Sequence, residues 1–252
     1  MLTVKGRPVQ LIQVSDAEAL AGKACDEIIS SAKESLKTRG RFCLAISGGH
    51  TPMRTFQWLS QSAEARGLDW ERIHLFWVDE RSVPPDDQNS NYRMASETFL
   101  KTMPIPAGNV HRMRGESKDL TQAAHEYEQV IREVFQLPAG QIPAFDLILL
   151  GMGENGHIAS LMPNSYALFD TKDLVSTVFQ MEGDWSRLTL TVPVLRAAKK
   201  LIVLISGAEK ASIVQTVFST EADELKYPAH ALWPVLDKVI WIIDKEAAGL
   251  LP

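Results

Sequence analysis

Short apolar runs alternate along this chain with segments whose apolar residues recur at helical spacing, and this alternation restricts the fold most. Gln10–Val14, Arg41–Ile46, Ile73–Val78, Phe145–Leu150, Leu188–Val192, Leu201–Ile205 and Val239–Ile243 read as strands. Between them, Ala17–Lys37 places Leu20, Ala21, Ala24, Ile28, Ala32 and Leu36 on one helical face. A second helix is expected from Thr51, with threonine as N-cap and Pro52 at the first helical position. Asn91–Leu100, Leu120–Phe135 and Ala208–Phe218 are further helical segments. Alternation of this kind implies an α/β fold, a parallel sheet covered by helices on both faces. No internal repeat, low-complexity tract or linker divides the chain, so a single domain over residues 1–252 is expected.

Composition narrows the function classes. An apolar fraction of 45% and a charged fraction of 23% are those of an ordinary globular protein. The formal charge of −5 argues against nucleic acid as a partner, while leaving room for a local basic pocket. The apolar runs Leu147–Leu150 and Leu201–Ile205 are far shorter than a membrane span, and the first residues lack the apolar core of a secretory signal. Cys25 falls in a helical pattern and Cys43 in a strand, so both are expected as buried free thiols in a reducing, cytoplasmic compartment. His74, His111, His125 and His230 form no zinc-ligand spacing with His157 or one another, and no metal is expected.

Chemistry-bearing residues gather after the strands. Ligands of an open parallel sheet bind beyond the carboxyl ends of its strands. Four strands here end in motif-like loops: Ser47–Pro52 (SGGHTP), Asp79–Pro84 (DERSVP), Gly151–His157 (GMGENGH) and Ser206–Lys210 (SGAEK). If those strands are parallel and adjacent, the loops share one site. In the first loop, Gly48 and Gly49 let the backbone turn tightly before a helix start, which makes an anion site. Arg81 offers paired N–H donors to an anion, Asp79 and Glu80 are suited to bind hydroxyls or to support the fold, and Arg187 and Lys210 are further cations for a phosphate.

Gly151, Gly153 and Gly156 also spell GxGxxG after a strand, the pattern of a dinucleotide site. That site needs a long helix after the third glycine, and Pro163 would end one after barely two turns. The turn is better read as a mount for His157, whose imidazole titrates near neutrality and suits a general base. No Gly-x-Ser-x-Gly elbow is present and neither cysteine lies in a glycine-rich turn, which disfavours a covalent nucleophile.

SGGHTP, DERSVP with Ser90-Asn91-Tyr92, LGMGENGHIASLMP and RLTLTVPVL…ISGAEK (Arg187–Lys210) together resemble the 6-phosphogluconolactonase family, in the same order along the chain. The resemblance runs from Ile46 to Lys210 and extends weakly into the KYPAHAL and WIIDKEAA segments. It implies a Rossmann-like three-layer α/β/α fold with a mostly parallel central sheet, shared with glucosamine-6-phosphate deaminases and ribose-5-phosphate isomerases. It also implies hydrolysis of 6-phospho-D-glucono-1,5-lactone in the pentose phosphate pathway, with no cofactor or metal, by a monomer or small homo-oligomer. By the same resemblance, His157 activates water, and the phosphate sits by Ser47, Gly48, Gly49 and Thr51. Arg187 and Lys210 then neutralise that phosphate, and Arg81 contacts the substrate.

Deaminases of the family carry a tyrosine where this chain has Arg81. They also follow the histidine turn with an Ala-Phe-Asn-Glu-Pro type run, where this chain has Ala159–Pro163 and no such acid. One departure from the lactonase pattern concerns Asn155, which stands where the family's turn has aspartate, so the base is weaker unless Glu154 or Asp79 supplies the carboxylate. His50, where serine is common, is a smaller departure. The alternatives to a lactonase are a deaminase-like enzyme and a sugar-phosphate-binding protein with weak catalysis, the latter motivated by Asn155.

Overall fold

The structure of the protein, a computed structural model, describes residues 2–179 and 185–251. β1 (Thr3–Val4) and β2 (Arg7–Pro8) form a short hairpin ahead of β3 (Gln10–Val14). Next come α1 (Ala17–Arg39), β4 (Phe42–Ile46), α2 (His50–Gln61), α3 (Ala63–Arg66), β5 (Ile73–Trp77), β6 (Asp79–Arg81) and α4 (Asn91–Ala95). The chain continues through β7 (Val110–His111), α5 (Leu120–Phe135), β8 (Leu147–Gly151), β9 (Val175–Val178) and β10 (Arg187–Leu190). It closes with α6 (Val192–Ala197), β11 (Leu201–Ile205), α7 (Ala211–Ser219) and β12 (Val239–Asp244).

Seven strands make the central sheet in the order β3-β12-β11-β8-β4-β5-β7, and every neighbouring pair is parallel. All five residues of β4 and of β11 are buried, which requires both faces of the sheet to be covered. Trp77, Trp241, Phe42, Phe56, Phe76, Phe99 and Phe145 fill the interior beside them. α1 is held at both ends: Asp16 accepts from the amides of Glu18 and Ala19, and Gly40 closes the helix with φ 73°. No helix of the described residues is long and apolar enough to cross a membrane.

The order of strands sets the position of the site. From β4 the chain moves to β5 and β7 on one side, and from β8 to β11 and β12 on the other. β4 and β8 are therefore the neighbours at which the winding reverses, and a crevice opens beyond their carboxyl ends.

Several expectations need correction. Asp79–Arg81 is not a loop but a strand, the edge of a second, antiparallel sheet ordered β6-β10-β9. The run expected as Leu188–Val192 is Arg187–Leu190 within that sheet, and Val192 already opens α6 with Pro193 in its first turn. A proline has no N–H for a ladder but fits a helix start. α2 is capped by Gly49, with φ 103°, and not by Thr51, because the glycine backbone permits the turn two residues earlier. Asn91–Leu100 divides into α4 and a π-helical turn over Ser96–Leu100, and Ala208–Lys210 is a 3-10 turn leading into α7.

Candidate active site

Ser47, Gly48 and Gly49 follow β4 and bring the chain to the start of α2. The N–H groups of His50 and Thr51 open that helix and have no partner within it, so its positive end faces the crevice. The Ser47 hydroxyl is buried without a hydrogen-bond partner in the protein, as expected of a group kept for a ligand. Gly48 has a steric reason to be glycine: a Cβ there would lie 1.8 Å from Asn91 Oδ1. Asn91 reaches across from α4, donating from Nδ2 to the Asp79 carbonyl at 2.9 Å.

β6 and β10 bring in the arginines. Their register sets Arg187 directly opposite Arg81, and both line the crevice. Two like charges so placed repel unless an anion lies between them. Arg81 Nη1 donates to the Asn89 carbonyl at 2.7 Å. Glu80 turns away from the site and accepts from the amides of Arg81, Asn91 and Tyr92 and from the Ser90 hydroxyl, fastening α4 to β6. Of the two roles expected for Glu80, support of the fold is the one observed. Asp79 is buried in the crevice wall, and its Oδ2 accepts from Ser160 Oγ at 2.6 Å. Burial pushes both carboxyls above their usual range, against the hydrogen bonds and, for Asp79, against Arg81 and Arg187.

The turn after β8 presents His157. Gly153 N–H donates to the His157 carbonyl at 2.9 Å, and Gly156 takes φ 79°. A Cβ on Gly153 would come within 2.1 Å of the imidazole, so the ring lies against bare backbone. Instead of any helix, the turn closes through bridges of Met152 with Ile158 and Ile158 with Leu161. Asn155 Oδ1 receives both the His157 N–H, at 3.2 Å, and Nδ1, at 2.6 Å. Two donors on one amide atom identify that atom as oxygen and assign the ring proton to Nδ1, leaving Nε2 as the acceptor. Burial, then Arg187, Lys210 and Arg81, push the imidazole down to about 4.

After β11, Gly207 adopts φ 102° and donates its N–H to Asp244 at 3.0 Å, which also accepts from the Ser206 hydroxyl. Lys210 leaves the 3-10 turn with its Nζ 3.9 Å from Glu154. The cavity so enclosed is about 350 Å³. It brings together Ser47, Gly48, Gly49, Thr51, Asp79, Arg81, His157, Arg187 and Lys210, while Asn155 stands behind the imidazole. The four loops converge as expected, since β5, β4, β8 and β11 are parallel neighbours. Asn91, Glu154, Ser206 and Glu209 also line it. The sequence offered Glu154 only as a substitute carboxylate for the base and assigned no role to Asn91, Ser206 or Glu209; the doubled glycine at 48 and 49 was the available sign that something approaches closely there.

Fold and site together define an open parallel α/β protein with a cation-lined cleft at its switch point, into which the turn after β8 presents His157. The family described as glucosamine-6-phosphate isomerases/6-phosphogluconolactonase matches residues 15–241, and the chain belongs to that family. A 6-phosphogluconolactonase of Synechocystis is 40% identical over 214 residues, 85% of this chain and 86% of the relative. The structure of the 6-phosphogluconolactonase from Trypanosoma cruzi superposes with a TM-score of 0.83 at 29% identity, covering 97% of each chain. A monomeric glucosamine-6-phosphate deaminase shares the fold, with a TM-score of 0.81 at 24% identity over 96% of this chain and 99% of that one.

Proposed function

We propose that the protein hydrolyses 6-phospho-D-glucono-1,5-lactone to 6-phospho-D-gluconate, the lactone-opening step of the oxidative pentose phosphate pathway, with His157 as general base. The observation that carries this reading is the Asn155–His157 bond, which leaves Nε2 as the acceptor in a cavity holding two arginines and a lysine. The phosphate is held at the start of α2 by the Ser47–Thr51 backbone and the Ser47 hydroxyl, with Arg187 and Lys210 supplying charge. Arg81 contacts the lactone. Nε2 takes a proton from water as the water oxygen bonds to the lactone carbonyl carbon. The tetrahedral intermediate then collapses, the bond from that carbon to the ring oxygen breaks, and the ring oxygen receives the proton. The product is one carboxylic acid, which ionises.

One base is sufficient. A δ-lactone is an activated ester that opens in water unaided, and general-base help is worth ~10²–10⁴-fold. The reading of one domain over 1–252 is supported by the family match over most of the chain and by a continuous core.

The test is hydrolysis of freshly generated 6-phosphogluconolactone, corrected for spontaneous opening, beside ammonia release from glucosamine 6-phosphate. Lactone turnover above the spontaneous rate without ammonia is expected. Ammonia release would favour the deaminase, and ligand binding with no turnover would favour a sugar-phosphate-binding protein.

A further inference from the structure

Among the described residues, the charges facing His157 come from several elements around the cleft. Arg81 of β6, Arg187 of β10 and Lys210 before α7 are the cations. Among the described residues, Asp79, Glu154 and Glu209 are the carboxyl groups, and His50 is a second imidazole at the rim. These carboxyl groups offset the cations at the ring only in part, Glu154 lying 3.9 Å from Lys210 Nζ. Asp79 is buried and bonded to Ser160, and Glu154 and Glu209 are exposed to solvent, where screening weakens them. The partner of Nδ1 is the neutral amide of Asn155. Burial and the three cations together hold the imidazole in its neutral form down to about pH 4, which makes it a feeble base while the cleft is empty. A dianion lodged among the same three cations opposes their effect on the ring.

Resting on the lactonase reading above, we propose that the substrate's phosphate is an activator as well as an anchor: its negative charge, bound beside Arg81, Arg187 and Lys210, switches on the general base His157. Where other hydrolytic sites place a fixed carboxylate behind the imidazole, here the substrate brings the anion. Selectivity for phosphorylated lactones is then exerted in kcat, because this interaction grows as the imidazolium forms and is not uniform binding.

Two measurements test this with the intact protein. The first compares kcat and KM for 6-phosphogluconolactone and for unphosphorylated glucono-1,5-lactone. A kcat at least tenfold lower without the phosphate is expected, and equal kcat values with only KM changed would overturn the proposal. The second follows the His157 imidazole by NMR titration, free and saturated with glucitol 6-phosphate, which carries a phosphate but no carboxylate. The expected midpoint rises by a pH unit or more on saturation. An unmoved midpoint in the bound protein overturns activation and leaves the lactonase reading standing. Failure to bind that ligand, or to turn over 6-phosphogluconolactone, removes the reading beneath it as well.

Discussion

At the scale of single residues, the proposed chemistry rests on Asn155 and His157. An asparagine fixes the tautomer of the imidazole as an aspartate would, yet adds no charge to stabilise the imidazolium. Asn155→Asp is therefore expected to raise the acid limb of kcat/KM from near pH 4 by a unit or more, and to raise the neutral-pH rate severalfold. Comparing the two profiles cancels the substrate's own phosphate ionisation. An unmoved limb would mean that another carboxylate already serves the base. His157→Ala is expected to lower kcat by ~10²–10⁴-fold while 6-phosphogluconate binds as before. Equal rates for variant and parent would remove the general base. Gly153→Ala separates position from chemistry: its Cβ would lie 2.1 Å from the imidazole, so the ring must move while the phosphate cradle does not. A fall in kcat with KM nearly constant is the expected reading, and a parental kcat would show that the ring tolerates displacement.

At the scale of elements, the small antiparallel ribbon matters more than its length indicates. β6 and β10 set Arg81 against Arg187, and the Asp79–Ser160 bond ties the ribbon to the His157 turn. Glu80 ties it to α4 and its N-cap through three hydrogen bonds, so Glu80→Gln is expected to cost about 1–3 kcal/mol of stability. It should also raise KM, because Arg81 follows it directly; urea denaturation and steady-state kinetics measure the two effects, and a stable variant with parental KM would refute the linkage. This ribbon is also where the sequence was least legible. Gln10–Val14 and Leu120–Phe135 carry enough apolar periodicity to be read to the residue. Asp79–Arg81 carries none, since its residues are charged and its partners lie about a hundred positions away in the chain. The two-residue β7 and the four-residue β9 are likewise too short for a period to register. The cleft itself was legible because its glycines and cations follow directly on apolar strands. Asn91 was not, because its contact with the Gly48 loop is made across the fold.

At the scale of the whole molecule, burial has displaced several titrating groups, and their signs differ. Folding pushes His74, His111, His157 and His230 down, His111 to about 4. The unfolded chain then binds more protons than the folded one between about pH 6.5 and 4, so these groups withdraw stability as pH falls through that window. Asp79 and Glu80 are pushed up by burial and act in the opposite sense, regaining stability as they protonate in the folded state. The histidine contribution can be isolated at the sheet edge, far from the catalytic turn in the strand order. There His74 Nδ1 and His111 Nε2 lie 3.1 Å apart, close enough for one proton to be shared, with Phe76 stacked on His111. A second proton would leave two donors face to face on two like charges. For His111 alone the linkage amounts to about 1–2 kcal/mol between pH 7 and pH 5. Urea denaturation of the parent and of His111→Gln at those two pH values reads it out. The parent is expected to lose more stability on acidification than the variant, by that amount. Equal losses would place the acid sensitivity elsewhere, with His74, His157 and His230 the remaining imidazoles whose burial carries the same sign.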